Sequence, residues 1–238
     1  MSQSVRLDIA AKRHPDPAGG DRLALRDLQL DIAAQEMVCL FGPSGCGKTT
    51  LMTIVAGLDS DFEGTVDFDG PRPAIGVVFQ NPRLLPWMTV AQNLALVLTE
   101  DVDARVDAVL AATGLAAHRD HYPGQLSGGL ARRVALARAM VVEPALLLLD
   151  EPFASLDQKG ADELRRELQT VLQARPTTAL FVTHDLREAA LLADRVVFLS
   201  AAPGTVVTEV RLQGERAARF DEGWLQPALV RLRAAQPA

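Results

Sequence analysis

The run FGPSGCGKTTL, Phe41 to Leu51, restricts this chain more than any other stretch of it. Before it, EMVCLF (Glu36–Phe41) is a short apolar run that stops at Gly42, as a buried strand does. After it, Leu51, Ile54, Val55 and Leu58 recur at helical spacing, with Gly57 near the expected helix end. Between strand and helix, Gly42-Pro43-Ser44-Gly45-Cys46-Gly47-Lys48-Thr49 fills the pattern G-x-x-x-x-G-K-[ST]. Glycines let backbone amides converge on phosphate oxygens with no β-carbon in the way, and the helix start adds its free N–H groups and positive dipole end. Lys48 would reach the β- and γ-phosphates, and the Thr49 hydroxyl, beside Thr50, would ligate Mg²⁺. The run predicts nucleotide binding.

Other strand ends offer polar groups to the same chemistry. ALLLL (Ala145–Leu149) reads as a central parallel strand, with Asp150 and Glu151 at its C-terminal end, where open α/β sheets bind ligands. Adjacent carboxylates alternate faces, so one can address Mg²⁺ and the other a water; as plain structure they would cap the next helix. Gln80 closes GVVFQ and His184 closes ALFVTHD, two further apolar runs. Ser127-Gly128-Gly129 precedes a helix whose Leu130, Val134, Ala137 and Val141 share a face, and Ser127 also suits a plain helix cap.

Composition narrows the class further. A net charge of −6 over 238 residues argues against a general nucleic-acid binder. Two cysteines, Cys39 and Cys46, are too few for a disulfide framework, so a reduced cytosolic chain is expected. The N-terminus lacks the apolar core of a signal peptide, and no run reaches the ~20 apolar residues that span a bilayer.

In this order, FGPSGCGKTT, VFQ, LSGGL, LLLLDEP, SLD and VTHD resemble the nucleotide-binding subunit of an ATP-binding cassette (ABC) transporter, from about Leu23 to Ser200. The resemblance implies ATP and Mg²⁺ as cofactors, with Gly42–Thr50 as the phosphate loop. It makes Gln80 a sensor of Mg²⁺ and water, and Ser127, Gly128 and Gly129 the signature that meets the γ-phosphate across a dimer. Asp150 would support Mg²⁺, Glu151 would polarise the attacking water, Asp157 would be the D-loop aspartate, and His184 would act on the γ-phosphate. GVVFQNPRLLPWMTVAQNLALVL (Gly76–Leu98) is similar to the nitrate/sulfonate/taurine import ATPases, where LLPW-x-TV-x-x-N is habitual, and RVVFLSAAPGTVV (Arg195–Val207) looks like their small-residue turn. Two positions depart from the family: Leu130 stands where glutamine is common, and Gln35 where glycine is. The adenine-stacking aromatic is not evident; His14, before PDPAGGD, is the nearest candidate against a plain solvated loop.

The fold expected is α/β: a P-loop NTPase (RecA-like) core with an antiparallel β subdomain (roughly residues 4–35 and 62–79) and an inserted α-helical signature subdomain, together an ABC ATPase domain. Its parts are placed at about 1–82 and 141–213 (core and β subdomain), 83–140 (helical) and 214–238 (a C-terminal extension of little periodicity). Implied partners are a second ATPase subunit in a homodimer or pair, integral membrane permease subunits, and a periplasmic or extracellular solute-binding protein, with no nucleic acid. The implied location is peripheral, at the cytoplasmic face of the inner membrane. Leu84, Leu85, Trp87 and Met88, exposed around prolines, are expected to receive a cytoplasmic helix of the permease. The alternatives are a non-transport ABC ATPase, a soluble P-loop phosphotransferase, and a regulatory module with poor hydrolysis.

Overall fold

Strict alternation of apolar and polar residues builds the first sheet. Strand β1 (Val5–Pro15) buries Val5, Leu7 and Ile9 and turns Arg6 and Asp8 outward. It pairs antiparallel with β2 (Asp21–Ile32) and β4 (Glu63–Phe68), in the order β2-β1-β4. These coordinates, a computed structural model, describe residues 2–16, 19–154 and 156–237. They divide into two compact units, Met1–Arg72 with Thr178–Ala238, and Pro73–Thr177.

The first unit also holds strands of continuous apolar character. β3 (Met37–Phe41), β7 (Thr178–Thr183) and β8 (Arg195–Leu199) are buried at every residue, as parallel strands covered on both faces are. They run parallel in the order β7-β3-β8, and β9 (Val206–Arg211) closes the edge antiparallel to β8. Helix α1 (Lys48–Ala56) follows β3 and ends at Gly57, whose φ of 72° is a left-handed cap. Leu58 therefore falls beyond the helix and is 65% exposed, not on its apolar face as the spacing suggested. Gln35, the departure from glycine, does sit at φ 65°; the left-handed turn it occupies costs about 1 kcal/mol without glycine.

The C-terminal stretch is more ordered than its sequence pattern suggested. Helix α7 (Glu222–Ala235) buries Leu225, Ala228, Leu229 and Leu232 despite Pro227 inside it. Ahead of α7, Arg219 is 2% exposed and donates to the carbonyls of Leu192 and Ala193 and to Asp194. Leu192 ends α6 (Leu186–Leu192), so a buried arginine pins the chain between the two helices.

In the second unit, β5 (Ile75–Val78) pairs parallel with β6 (Leu146–Asp150). The expectation that residues up to 79 join the antiparallel sheet is thereby corrected: Ile75–Val78 finds its partner in the apolar run at 146–149. Helices α2 (Val90–Ala95), α3 (Val102–Ala112) and α4 (Gly128–Met140) enclose a core of Val90, Leu94, Val106, Leu110, Val134 and Ala137. Leu130 packs against it, which gives the apolar residue of LSGGL a structural reason. Helix α5 (Gln158–Ala174) then buries Leu164, Leu168 and Leu172, with Val171 half-buried beside them, the 3.6-residue period of an amphipathic helix. The helical stretch thus shares its unit with β5, β6 and α5.

LLPWMTVAQN is organised by its last residue. Asn93 is fully buried; its side-chain amide donates to the carbonyls of Leu85, Met88 and Thr89, and its oxygen accepts from Leu85 N. Thr89 and Gln92 cap α2 reciprocally. This clamp turns the loop inward, so of the four apolar residues expected at the surface only Trp87 is exposed, at 69%. Leu84, Leu85 and Met88 are half-buried.

Candidate nucleotide site

In the first unit, register brings two of the expected elements together. Phe41, the last residue of β3, pairs with Thr183, the last residue of β7, so the loop at Gly42 and His184 leave the same edge on adjacent strands. Gly45 and Gly47 both hold left-handed backbone, at φ 79° and 97°. Gly47 has a second constraint, since a β-carbon there would lie 2.5 Å from Leu25 on β2. The loop closes on Lys48, whose Nζ donates to the carbonyls of Gly42 at 2.7 Å and Pro43 at 2.8 Å. Ser44, Gly45 and Thr49 remain exposed, Pro43 with them, and Thr50 is half-buried. Cys46 is buried and free, as is Cys39. A cavity of about 520 Å³ is lined by Gly42, Pro43, Ser44, His184 and Ser200. A larger one, about 590 Å³, lies among Arg6, Asp31, Glu36, Asp67 and Arg195. Its arginines already pair with its acids, and it holds none of the expected phosphate ligands.

His14 ends up in β1 rather than a solvated loop, and its Nε2 lies 3.0 Å from Thr50 Oγ1. Pro17 and Ala18 of the following PDPAGGD lie outside the described residues.

A part of this site that the sequence did not reveal is Gly204, in the turn after β8. Its N–H donates to Ala24 O, and a β-carbon on it would stand 2.1 Å from the carbonyl oxygen of Cys46. The small-residue turn APG therefore backs the glycine loop at Cys46. Gly204→Ala must displace loop backbone rather than a flexible side chain. Nucleotide affinity measured by calorimetry is expected to fall by about tenfold or more, with a lower melting temperature.

The second unit holds the remaining residues. Gln80, two residues beyond β5, donates from Nε2 to Glu151 Oε2 at 3.1 Å. Glu151 directly follows β6 and takes φ 45°, while Asp150 stays within the strand and is 8% exposed. Arg132 of α4 donates from Nη1 to the carbonyls of Gln80 and Pro152. Burial pushes the Arg132 pKa down, and the Glu151 carboxylate acts in the opposite direction. Ser127 caps α4, its Oγ accepting from Leu130 N at 3.3 Å, with Ser127 and Gly128 exposed at the helix start. Asp157 caps α5 in the same way, accepting from Gly160 N at 3.0 Å. The Ser127 cap matches its plain structural reading and leaves the exposed start of α4 available to an anion. Ser155 of the SLD stretch lies outside the described residues.

A sequence-family model described as ABC transporter matches residues 25–154. The aliphatic sulfonates import ATP-binding protein SsuB 2 of Burkholderia lata is 45% identical over 204 residues, covering 83% of this chain and 75% of that protein. The nitrate import ATP-binding protein NrtC of Synechococcus elongatus is 41% identical over 223 residues, 88% of this chain and 34% of that protein. A dimeric structure of the ATP-binding cassette MJ0796 in a post-hydrolysis state with ADP and Pi is similar at a TM-score of 0.77 and 30% identity, covering 89% of this chain and all of that one.

Proposed function

The chain belongs to the ABC transporter family, and on that footing we propose that it hydrolyses ATP to energise import of a small anion, of the sulfonate or nitrate kind. The observation that carries the reading is the Gln80–Glu151 contact. Two residues 71 positions apart, each expected to address the attacking water, meet at 3.1 Å. The imported solute follows the names of the relatives, which are import ATP-binding proteins for aliphatic sulfonates and for nitrate.

In this reading Lys48 and the amides of Gly42–Thr50 hold the β- and γ-phosphates and spread the charge that develops on the transferring phosphoryl group. Glu151 takes the proton of the attacking water, Gln80 fixes the carboxylate, and His184 addresses the γ-phosphate. In the second unit Asp150 and Gln80 offer a carboxylate and an amide oxygen, and in the first Thr49 offers a hydroxyl; each is a hard oxygen donor of the kind that Mg²⁺ takes. Among the described residues no group of three or more His, Cys, Asp or Glu could hold a metal ion, so Mg²⁺ would lean on phosphate oxygens as well. When bound, Mg²⁺ supplies neutralisation of phosphate charge.

Ser127, Gly128, Gly129 and Asp157 would serve the nucleotide of a second copy, making ATP the link in a head-to-tail dimer. Among the described residues no helix is long and apolar enough to cross a membrane. Permease subunits would hold the chain at the cytoplasmic face of the membrane, and a solute-binding protein would complete the importer. Trp87, exposed on a loop that Asn93 fixes, is the proposed contact with a permease helix. Tagged protein isolated from membranes should bring the permease with it. Trp87→Ala should weaken that copurification and transport while the isolated chain keeps its nucleotide affinity. Unchanged copurification and transport would remove Trp87 from the interface.

A further inference from the structure

We propose that Arg132 is a positioning residue for hydrolysis, holding the Gln80–Glu151 pair through the backbone carbonyls of Gln80 and Pro152. The inference rests on the reading of Glu151 as the carboxylate that takes the proton of the attacking water.

The geometry is a closed ring. Arg132 Nη1 donates to Gln80 O at 3.0 Å; the side chain of that same glutamine donates to Glu151 at 3.1 Å; and the residue after Glu151, Pro152, returns its carbonyl to Arg132 Nη1 at 3.4 Å. Each member of the pair is thus held by its own side chain on one side and by the guanidinium on the other. Glu151 has particular need of this support, because at φ 45° its backbone sits in a region that non-glycine residues occupy only when their surroundings enforce it. Arg132 itself is 9% exposed. A buried cation costs desolvation, and its compensation here is two carbonyl dipoles and the charge of Glu151.

A second arginine of α4 extends the arrangement. Arg138 donates to Pro82 O at 2.8 Å and Arg83 O at 3.0 Å, so α4 grips the chain from Gln80 onward at three carbonyls, those of Gln80, Pro82 and Arg83. The helix that begins with Ser127-Gly128-Gly129 therefore carries Gln80 with it, and through Gln80 the carboxylate. Arg132 is the point where the helix that would sense one nucleotide touches the residues that would act on water.

The test uses the full-length chain with Mg-ATP, measuring steady-state hydrolysis and, separately, nucleotide binding. Arg132→Met keeps the length of the side chain and removes its donors; its fold is checked by its melting curve, and the assay is run below the transition. Its kcat should fall by about tenfold or more with KM changed by less than about twofold, since the Arg132 donors go to the carbonyls of Gln80 and Pro152 rather than to groups assigned to the nucleotide. Arg132→Lys, whose ammonium can still donate to both carbonyls, should recover part of kcat. The Arg132→Met/Gln80→Ala double variant should lose little more than the worse single variant, a non-additivity that loss of general stability does not produce. Wild-type kcat in a folded Arg132→Met, no recovery with lysine, or additive losses in the double variant would each overturn the positioning role. Glu151→Gln, assayed alongside, separates the two levels. If it hydrolyses ATP normally, the reading of Glu151 falls; if it is inactive while Arg132→Met is normal, only the role of Arg132 falls.

Discussion

Glu151→Gln is expected to lower ATP turnover by about 10²–10⁴-fold, the range a positioned general base supplies, while nucleotide binding survives. The amide has the shape of the carboxylate and an oxygen that can still accept from Gln80 Nε2, so the contact between the two residues is retained. It cannot take a proton from water. With turnover stalled, bound ATP persists and mass action draws the protein into its dimer. Light scattering or size-exclusion chromatography at saturating Mg-ATP should show that dimer enriched relative to wild type. Normal phosphate release would remove Glu151 from the role of base. A monomer at saturating nucleotide would instead count against the two-copy arrangement and favour a soluble phosphotransferase.

Lys48→Ala is expected to weaken nucleotide binding by about 100-fold or more in calorimetry, about 2.7 kcal/mol. The loss has two sources. Contacts from the ammonium to the β- and γ-phosphates disappear, and each charged hydrogen bond contributes about 1.5–3 kcal/mol. The loop also loses its internal anchor, because Lys48 donates to the carbonyls of Gly42 and Pro43 and is 8% exposed. Substitution leaves those carbonyls without that donor, and the curve that aims the amides of Ser44 to Gly47 is no longer held. The strand before the loop and the helix after it should persist, since β3 is buried throughout and α1 buries Leu51, Met52, Ile54 and Val55. Unchanged affinity in a folded variant would refute the assignment of the loop lysine.

Much of the site was legible because its parts are local. A strand, a glycine loop and a helix occupy one continuous stretch, and spacing alone announces them. The acid pair at the end of β6 was visible for the same reason: an unbroken apolar run marks a buried parallel strand, and its end is where ligands collect. Elements failed where a local signal competed with a distant one. Ile75–Val78 was assigned to the antiparallel sheet by proximity in sequence, but its partner lies at Leu146–Leu149. The face of α7 was hidden by Pro227 and the surrounding charges, although Leu225, Ala228, Leu229 and Leu232 carry helical spacing. The exposed loop around LLPW was misjudged because Asn93, an unremarkable polar residue in sequence, draws four backbone groups inward.

By itself the sequence determined the kinds of chemical group available and the strand or helix end that presents each. Those properties depend on residue type, on periods of two and 3.6, and on left-handed glycines, all of which act over a few neighbours. Only the tertiary structure decided which groups meet. Gly204 reaches the loop through a turn distant in sequence, and Arg132 joins Gln80 to Pro152 across separations of 52 and 20 residues. A hydrogen bond or a close backbone approach carries no trace in local pattern, because its partner is chosen by how buried surfaces pack.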